Sequence, residues 1–246
     1  MGYDAFDARS VKRRVLRFFI VGKNKHVITQ YRRLIRKAGM RYTKERPDIV
    51  ISLGGDGTLL YAERAYPGVP KLPIRNKSIC NVCDWDSLGI ILSGIRAGKY
   101  RIEKAMKLEA VVRNKGRLLR ATCLNDVVIR NKQQTNCIRF EVAVNGRQVN
   151  GLLVGDGVTV STPFGSGAYY YSITRKRFAK GIGVAFNNLT EPAKHLVLKE
   201  NSVVTVTVVR NRALLSADND PRMTGLRTGD RVKIRKSRKY AKIVKI

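Results

Sequence analysis

Residues 47–60 read Pro-Asp-Ile-Val-Ile-Ser-Leu-Gly-Gly-Asp-Gly-Thr-Leu-Leu, and the apolar run Ile49 to Leu53 gives way at once to Gly54-Gly55-Asp56-Gly57-Thr58. A strand ending in a glycine turn is how a parallel sheet delivers backbone N–H groups to a ligand at its carboxyl edge. Three glycines in four positions remove Cβ atoms where an anion must come close to the backbone. An acid among them is a poor choice for holding phosphate alone, because like charges repel. Asp56 makes sense there if it takes a proton from an attacking hydroxyl, or if it helps hold a metal bound to the phosphates. The chemistry expected of this segment is phosphoryl transfer.

Two further stretches carry reactive or hydrogen-bonding groups. Residues 155–169 read Gly-Asp-Gly-Val-Thr-Val-Ser-Thr-Pro-Phe-Gly-Ser-Gly-Ala-Tyr, a strand-like alternation running into a small-residue turn that opens into a helix. Its hydroxyls and helix start suit an anion or a sugar–base ligand, although Ser/Thr capping of a tight turn would look the same. Between the two sites lies Leu124-Asn125-Asp126-Val127-Val128-Ile129. An Asn-Asp pair at the head of a strand offers donors and acceptors matched to vicinal ribose hydroxyls; the pair is also an ordinary turn signal.

Taken in order, Gly54-Gly55-Asp56-Gly57-Thr58, then Asn125-Asp126, then Asp156-Gly157 with Ser161-Thr162-Pro163-x-Gly165-Ser166-x-Ala168-Tyr169, the chain resembles the NAD kinases. The first motif alone is shared with diacylglycerol kinases, sphingosine kinases and phosphofructokinases, whereas the Thr-Pro-x-Gly-Ser segment after an Asp-Gly pair is much more particular. The resemblance implies transfer of the terminal phosphate of ATP, or of polyphosphate, to the 2′-hydroxyl of the adenosine ribose of NAD. Asp56 would be the general base. Gly54, Gly55, Gly57 and Thr58 would cradle the donor phosphates, with Mg²⁺ or another divalent cation neutralising their charge. Asn125 and Asp126 would hold ribose hydroxyls or the adenine, and Asp156 the nicotinamide-side ribose. Thr162, Ser166, Ala168 and Tyr169 would line the adenine pocket. A homo-oligomer, dimer or tetramer, is implied by the resemblance alone.

The chain also departs from that family. A Gly-Ile-Asn-x-Gly-x-Leu-Gly segment usually follows the first motif; here the stretch is Ile74-Arg75-Asn76-Lys77-Ser78-Ile79-Cys80. Asp126 is shorter than the usual Glu, and Gly167 stands for a Thr. A Gly-Gly-Pro-type turn is missing beyond the helix, and no role carries over to His195. The competing reading is a kinase of the same fold acting on another nucleotide-like or lipid acceptor.

These residues need a frame. A strand over 11–21 closed by Gly22, helical spacing over 25–38 stopped by Gly39, and the 49–53 strand predict an N-terminal α/β domain, Rossmann-like and doubly wound, over residues 1–97. Beyond about residue 98 come short β-rich runs, including 111–112, 126–129, 139–144, 203–209 and 231–234, with hairpin signals at Asn145-Gly146 and Asn114-Lys-Gly116. They predict an all-β, antiparallel domain over 98–229, with a helix-like exception near 165–180, and residues 230–246 packing back onto the first domain. The fold class is thus α/β plus all-β, of the kind seen in NAD and diacylglycerol kinases.

At 246 residues with a net charge of +31, the chain is strongly basic. Residues 1–46 carry fourteen Lys/Arg against three acids, and 225–246 carry nine against Asp230. Such blocks suit polyanionic substrates or solvated faces. No nucleic-acid motif accompanies them, so nucleic-acid binding is not expected. No run of about 18 apolar residues and no signal-peptide pattern occurs, which predicts a cytoplasmic protein without membrane contact. Cys80-x-x-Cys83, with Cys123 and Cys137 far along the chain, makes no zinc pattern of standard spacing. Core or loop residues are the expectation there, with a disulfide or metal clip as the other possibility.

Overall fold

A computed structural model describes residues 15–74, 85–114 and 116–246. The altered 75–80 segment, Cys80, Cys83 and the start of the first expected strand lie outside the described residues. The chain divides into two compact units, residues 1–104 with 241–246, and residues 105–240.

The first unit runs β1 (Arg17–Gly22), α1 (Lys25–Lys37), β2 (Arg41–Tyr42), β3 (Ile49–Leu53), α2 (Asp56–Ala65), β4 (Lys71–Ile74) and α3 (Trp85–Arg96). Its strands are parallel in the order β2-β1-β3-β4. Both faces of this sheet are covered. Phe18, Ile20, Ile49 and Ile51 pack with Tyr31 and Ile35 of α1 and Leu88, Leu92 and Ile95 of α3, while Val21 and Val50 pack with Ala62 of α2. That two-sided burial is why Ile49–Leu53 reads as an unbroken apolar run and not as an alternation. Asn24 caps α1 by accepting the Val27 N–H at 3.1 Å, and Gly39, at φ +75°, leads the chain away from its end.

The second unit is built from β5 (Arg101–Asn114, which begins in the first unit), β6 (Arg117–Cys123), β7 (Asp126–Asn131), β8 (Ile138–Val144), β9 (Arg147–Gln148), β10 (Leu153–Gly155) and β11 (Gly157–Ser161). A 3-10 turn (Phe164–Gly167) and the short α4 (Tyr169–Thr174) follow. Then come β12 (Ile182–Asn187), β13 (Leu196–Leu198), β14 (Val204–Arg210), β15 (Ala213–Ala217), β16 (Thr224–Leu226) and β17 (Arg231–Lys245). Two antiparallel sheets form, β10-β8-β14-β17 and β13-β12-β11-β7-β15-β16. Alternate residues of both, among them Phe140, Val142, Val206, Val208 and Ile234 on one and Val127, Ile129, Val158, Val160 and Val184 on the other, share one buried core. Asn145 (φ +51°) and Gly146 (φ +85°) make the tight β8–β9 turn, whose two central residues both need positive φ. The last residues of β17 return to the first unit, where Ile243 lies beside Lys71 of β4.

Several elements go beyond the sequence pattern: the glycine turn opens directly into α2 at Asp56, β4, α3, β12 and β15 carried no expectation, and β17 is far longer than the 231–234 run.

Candidate active site

In the first unit, β3 ends and the chain turns through Gly54 and Gly55 into α2, with Gly55 at the N-cap and Asp56 as the first helical residue. The turn is therefore two residues long. Asp56, Gly57 and Thr58 belong to the first helical turn, where the N–H groups and the positive end of the helix macrodipole lie. Gly54 has φ +151°, and a Cβ there would overlap the Thr58 hydroxyl. Its N–H donates to the Ile74 carbonyl at 2.9 Å, tying the turn to the end of β4. Gly55, Asp56 and Gly57 are exposed, and Gly54 and Thr58 half-buried. The helix behind them is anchored from below, since the fully buried Lys71 ammonium on β4 bonds both the Glu63 carboxylate and the Tyr66 carbonyl of the α2 end.

In the second unit the other seven expected residues fall at the two ends of β11. Asp126 pairs with Ser161 at one end, and Arg130 with Gly157 at the other. Four residue steps at ~3.3 Å per residue put these ends about 13 Å apart.

At the first end, Thr162 is completely buried and its hydroxyl is committed internally, donating to the Leu124 carbonyl at 2.6 Å and accepting the Gly165 N–H at 3.0 Å. The Thr162 N–H and the Ser161 hydroxyl both donate to the Asn125 carbonyl, at 2.8 and 3.2 Å. Gly165 lies so close to Asn125 that a Cβ would overlap the Asn125 backbone. Ser166, also buried, donates to the Phe178 carbonyl at 3.1 Å. This knot holds Asn125 and Asp126, which are 8% and 7% exposed, and among the described residues neither side chain hydrogen-bonds to another group of the chain. Burial, and then the neighbouring charge of Asp218, push the Asp126 carboxyl up to about 7.

Asp218 was marked by no motif. It follows β15 in the left-handed region (φ +51°), which Asp tolerates better than most residues. Burial raises its own carboxyl above the usual range, against the lowering effect of the backbone N–H groups it accepts. A left-handed Asp closing a hairpin leaves no sequence signal that separates it from any turn aspartate. Beside it, Cys123 is a free thiol with no exposed surface, and burial pushes it far up; Cys137 is free and exposed.

At the other end of β11, the Asp156 carboxylate accepts from the Asn131 amide at 3.2 Å and from the Asn188 amide at 2.8 Å. The Asp156 N–H donates to the Asn187 carbonyl at 3.0 Å, and the Asn187 amide donates to the Tyr169 hydroxyl at 3.1 Å. Gly157 follows Asp156 at φ +144°, where a Cβ would overlap the Ile129 carbonyl of β7. Ala168 and Tyr169 lie exposed at the start of α4. The structure therefore gathers Asn125, Asp126, Thr162 and Ser166 at one end, and links Asp156 to Tyr169 through Asn187 at the other. Asn131, Asn187 and Asn188 escaped notice because isolated asparagines in β runs carry no distinctive pattern.

A doubly wound unit whose glycine turn opens a helix, followed by a two-sheet β unit holding buried polar side chains, is a fold that solved kinases also have. Two solved structures share it: yeast NADH kinase complexed with NADH, at TM-score 0.83 and 15% identity over 95% of this chain and 84% of that one, and an NAD kinase from Archaeoglobus fulgidus in complex with ATP, at 0.75 and 17% over 93% of each. The family model for the ATP-NAD kinase C-terminal domain matches residues 124–246. The NAD kinase of Natranaerobius thermophilus is 30% identical over 215 residues, 82% of this chain and 74% of that one. That of Nitrosococcus oceani is 32% identical over 204 residues, 78% and 69% of the two chains. The chain belongs to the NAD kinase family.

Proposed function

We propose that the protein phosphorylates NAD at the 2′-hydroxyl of the adenosine ribose, with ATP as donor, to give NADP and ADP. The observation that carries this is the pair Asn125–Asp126: two polar side chains more than nine-tenths buried, clamped by backbone bonds, with heads committed to no other described residue. Buried polar groups cost free energy unless something bonds them, and sugar hydroxyls are their natural complement. Asp156, about 13 Å away along β11 by strand rise, would serve the second ribose. Thr162 and Ser166, whose hydroxyls are used internally, would shape the adenine pocket, with Ala168 and Tyr169 supplying its exposed wall.

The reaction assigns Asp56 as the base. The 2′-hydroxyl gives its proton to the Asp56 carboxylate as its oxygen bonds the terminal phosphorus, and the bridging P–O bond breaks with its electrons passing to ADP. Gly54, Gly55, Gly57 and Thr58 would let the donor phosphates approach the α2 N-terminus. Among the described residues no three His, Cys, Asp or Glu side chains cluster to hold a metal. Mg²⁺ would enter on the donor phosphates, as it commonly does in phosphoryl transfer, with Asp56 kept as the base. Bound so, the ion would neutralise phosphate charge. No helix of the described residues is long and apolar enough to cross a membrane; we place the protein in the cytoplasm, as a dimer or tetramer that light scattering would size.

The test is direct. Purified protein with NAD, ATP and Mg²⁺ should form NADP, read by an NADP-specific dehydrogenase, with NADH and polyphosphate as parallel arms. Asp56→Asn should lower kcat by about a hundredfold or more, the range for losing a positioned base. Circular dichroism of that variant separates a loss of chemistry from a loss of fold. Full activity in that variant would remove Asp56 from the chemistry; no NADP from any donor would defeat the reaction.

A further inference from the structure

The acceptor end of β11 is built on a residue outside every motif. Asp218 accepts three consecutive backbone N–H groups, those of Leu124 at 2.8 Å, Asn125 at 2.7 Å and Asp126 at 3.3 Å. Its own N–H donates to the Asp126 carbonyl at 2.9 Å. Thr162 and Ser161 grip the carbonyls of Leu124 and Asn125. The backbone of 124–126 is thus held by Asp218 through all three N–H groups and the Asp126 carbonyl, and by Ser161 and Thr162 through the carbonyls of Leu124 and Asn125. The side chains of Asn125 and Asp126 are left as the groups that can meet a ligand.

We propose that Asp218 is a positioning residue for the acceptor, which aims the Asn125 and Asp126 side chains at the sugar hydroxyls by fixing the backbone they hang from. This rests on the NAD-kinase reading of the site. A carboxylate is the apt group for the task, because its two oxygens offer enough lone pairs for three N–H donors. An Asn there has one acceptor oxygen and a donor NH₂, so part of the triple contact must be lost. Asp218 has a second effect through charge. The titratable and charged groups acting on this cluster are Asp126, Asp218, Lys107 of β5 and Cys123 at the end of β6, and Asp218 is the anion that opposes ionisation of Asp126. An ionised Asp126 accepts from a hydroxyl; a protonated one accepts less well. NAD affinity should therefore rise with pH through about 7, where Asp126 loses its proton.

Steady-state kinetics and calorimetric NAD binding between pH 5.5 and 8.5, on wild type, Asp218→Asn and Asp126→Asn, test this. For Asp218→Asn the expected result is a KM for NAD raised about tenfold or more, the cost of roughly one lost hydrogen bond to a charged group. Its kcat should fall far less, and its pH midpoint should move toward acid. In Asp126→Asn the rise through pH 7 should vanish. A folded Asp218→Asn with wild-type KM and wild-type midpoint overturns the proposal. Where Asp218→Asn does not fold, Asp126→Asn decides: a pH dependence of NAD binding that persists unchanged overturns it. A wild type that binds NAD but forms no NADP would defeat the reaction instead, leaving the binding arm to judge Asp218.

Discussion

At the scale of single residues, the Asp126–Asp218 pair is under electrostatic tension. Asp126 carries its proton to about pH 7 in the fold, against 3.8 unperturbed, because burial and then Asp218 oppose its charge. The fold therefore binds a proton more tightly than the unfolded chain does. This contribution to stability is complete below about pH 4 and is lost as pH rises toward 7. Three pH units at ~1.4 kcal/mol each cap the loss at about 4 kcal/mol. Urea unfolding at pH 5 and pH 8 should show wild type losing more stability across that interval than Asp126→Asn, whose side chain does not titrate. The sequence marked Asn125, Asp126 and Asp156 as candidates because each sits in a short motif. It could not expose Asp218, whose importance comes from three N–H groups more than ninety residues away. Nor could it show that the Thr162 hydroxyl faces inward, since a capping threonine and a ligand-binding threonine are written alike.

At the scale of elements, the piece that presents Asp56 is a ten-residue helix fastened through its far end. Lys71 on β4 is the fastener, fully buried against Glu63 and the Tyr66 carbonyl. Removing one partner leaves the other charge buried, so Lys71→Met should cost about 3–5 kcal/mol in denaturant melts. Adding Glu63→Leu to it should restore much of that loss. Recovery absent from the double variant would mean that the loss lies in the bonds it leaves broken, Lys71 to the Tyr66 carbonyl and the Gly68 N–H to Glu63. Elements with strong local signals were legible: the 49–53 strand matched its observed bounds, α1 lay between Asn24 and Gly39 as its spacing implied, and Asn145-Gly146 made its hairpin. Those governed by tertiary context were not. α2 starts on Asp-Gly-Thr, a sequence with poor helix propensity, and is imposed by the strand-to-helix geometry of a parallel sheet. β17 extends to fifteen residues through Lys- and Arg-rich sequence, because its alternate Val, Ile and Ala positions still find cores to enter.

At the scale of the whole molecule, 49 Lys and Arg face 18 Asp and Glu. Some acids are already shared, as where Glu109 receives both Arg120 and Arg235. The unbalanced charge works against compactness, and screening relieves it. Raising the ionic strength from roughly 0.05 to 0.5 M, which shortens the Debye length from about 14 to about 4 Å, should raise the melting temperature. A neutral osmolyte at equal osmolality should not reproduce the salt curve. A melting temperature that falls with salt would show that specific ion pairs outweigh the repulsion.

Cys123 ends β6 one residue before the clamped 124–126 segment, with no exposed surface. Thiolate and access are both needed for oxidation, and burial denies both while the fold is closed. Cys137, in the open, has no such shelter. The chemical fate of Cys123 is thereby tied to how often the strands around Leu124 come apart: a sulfur that survives oxidants records that those strands have stayed together.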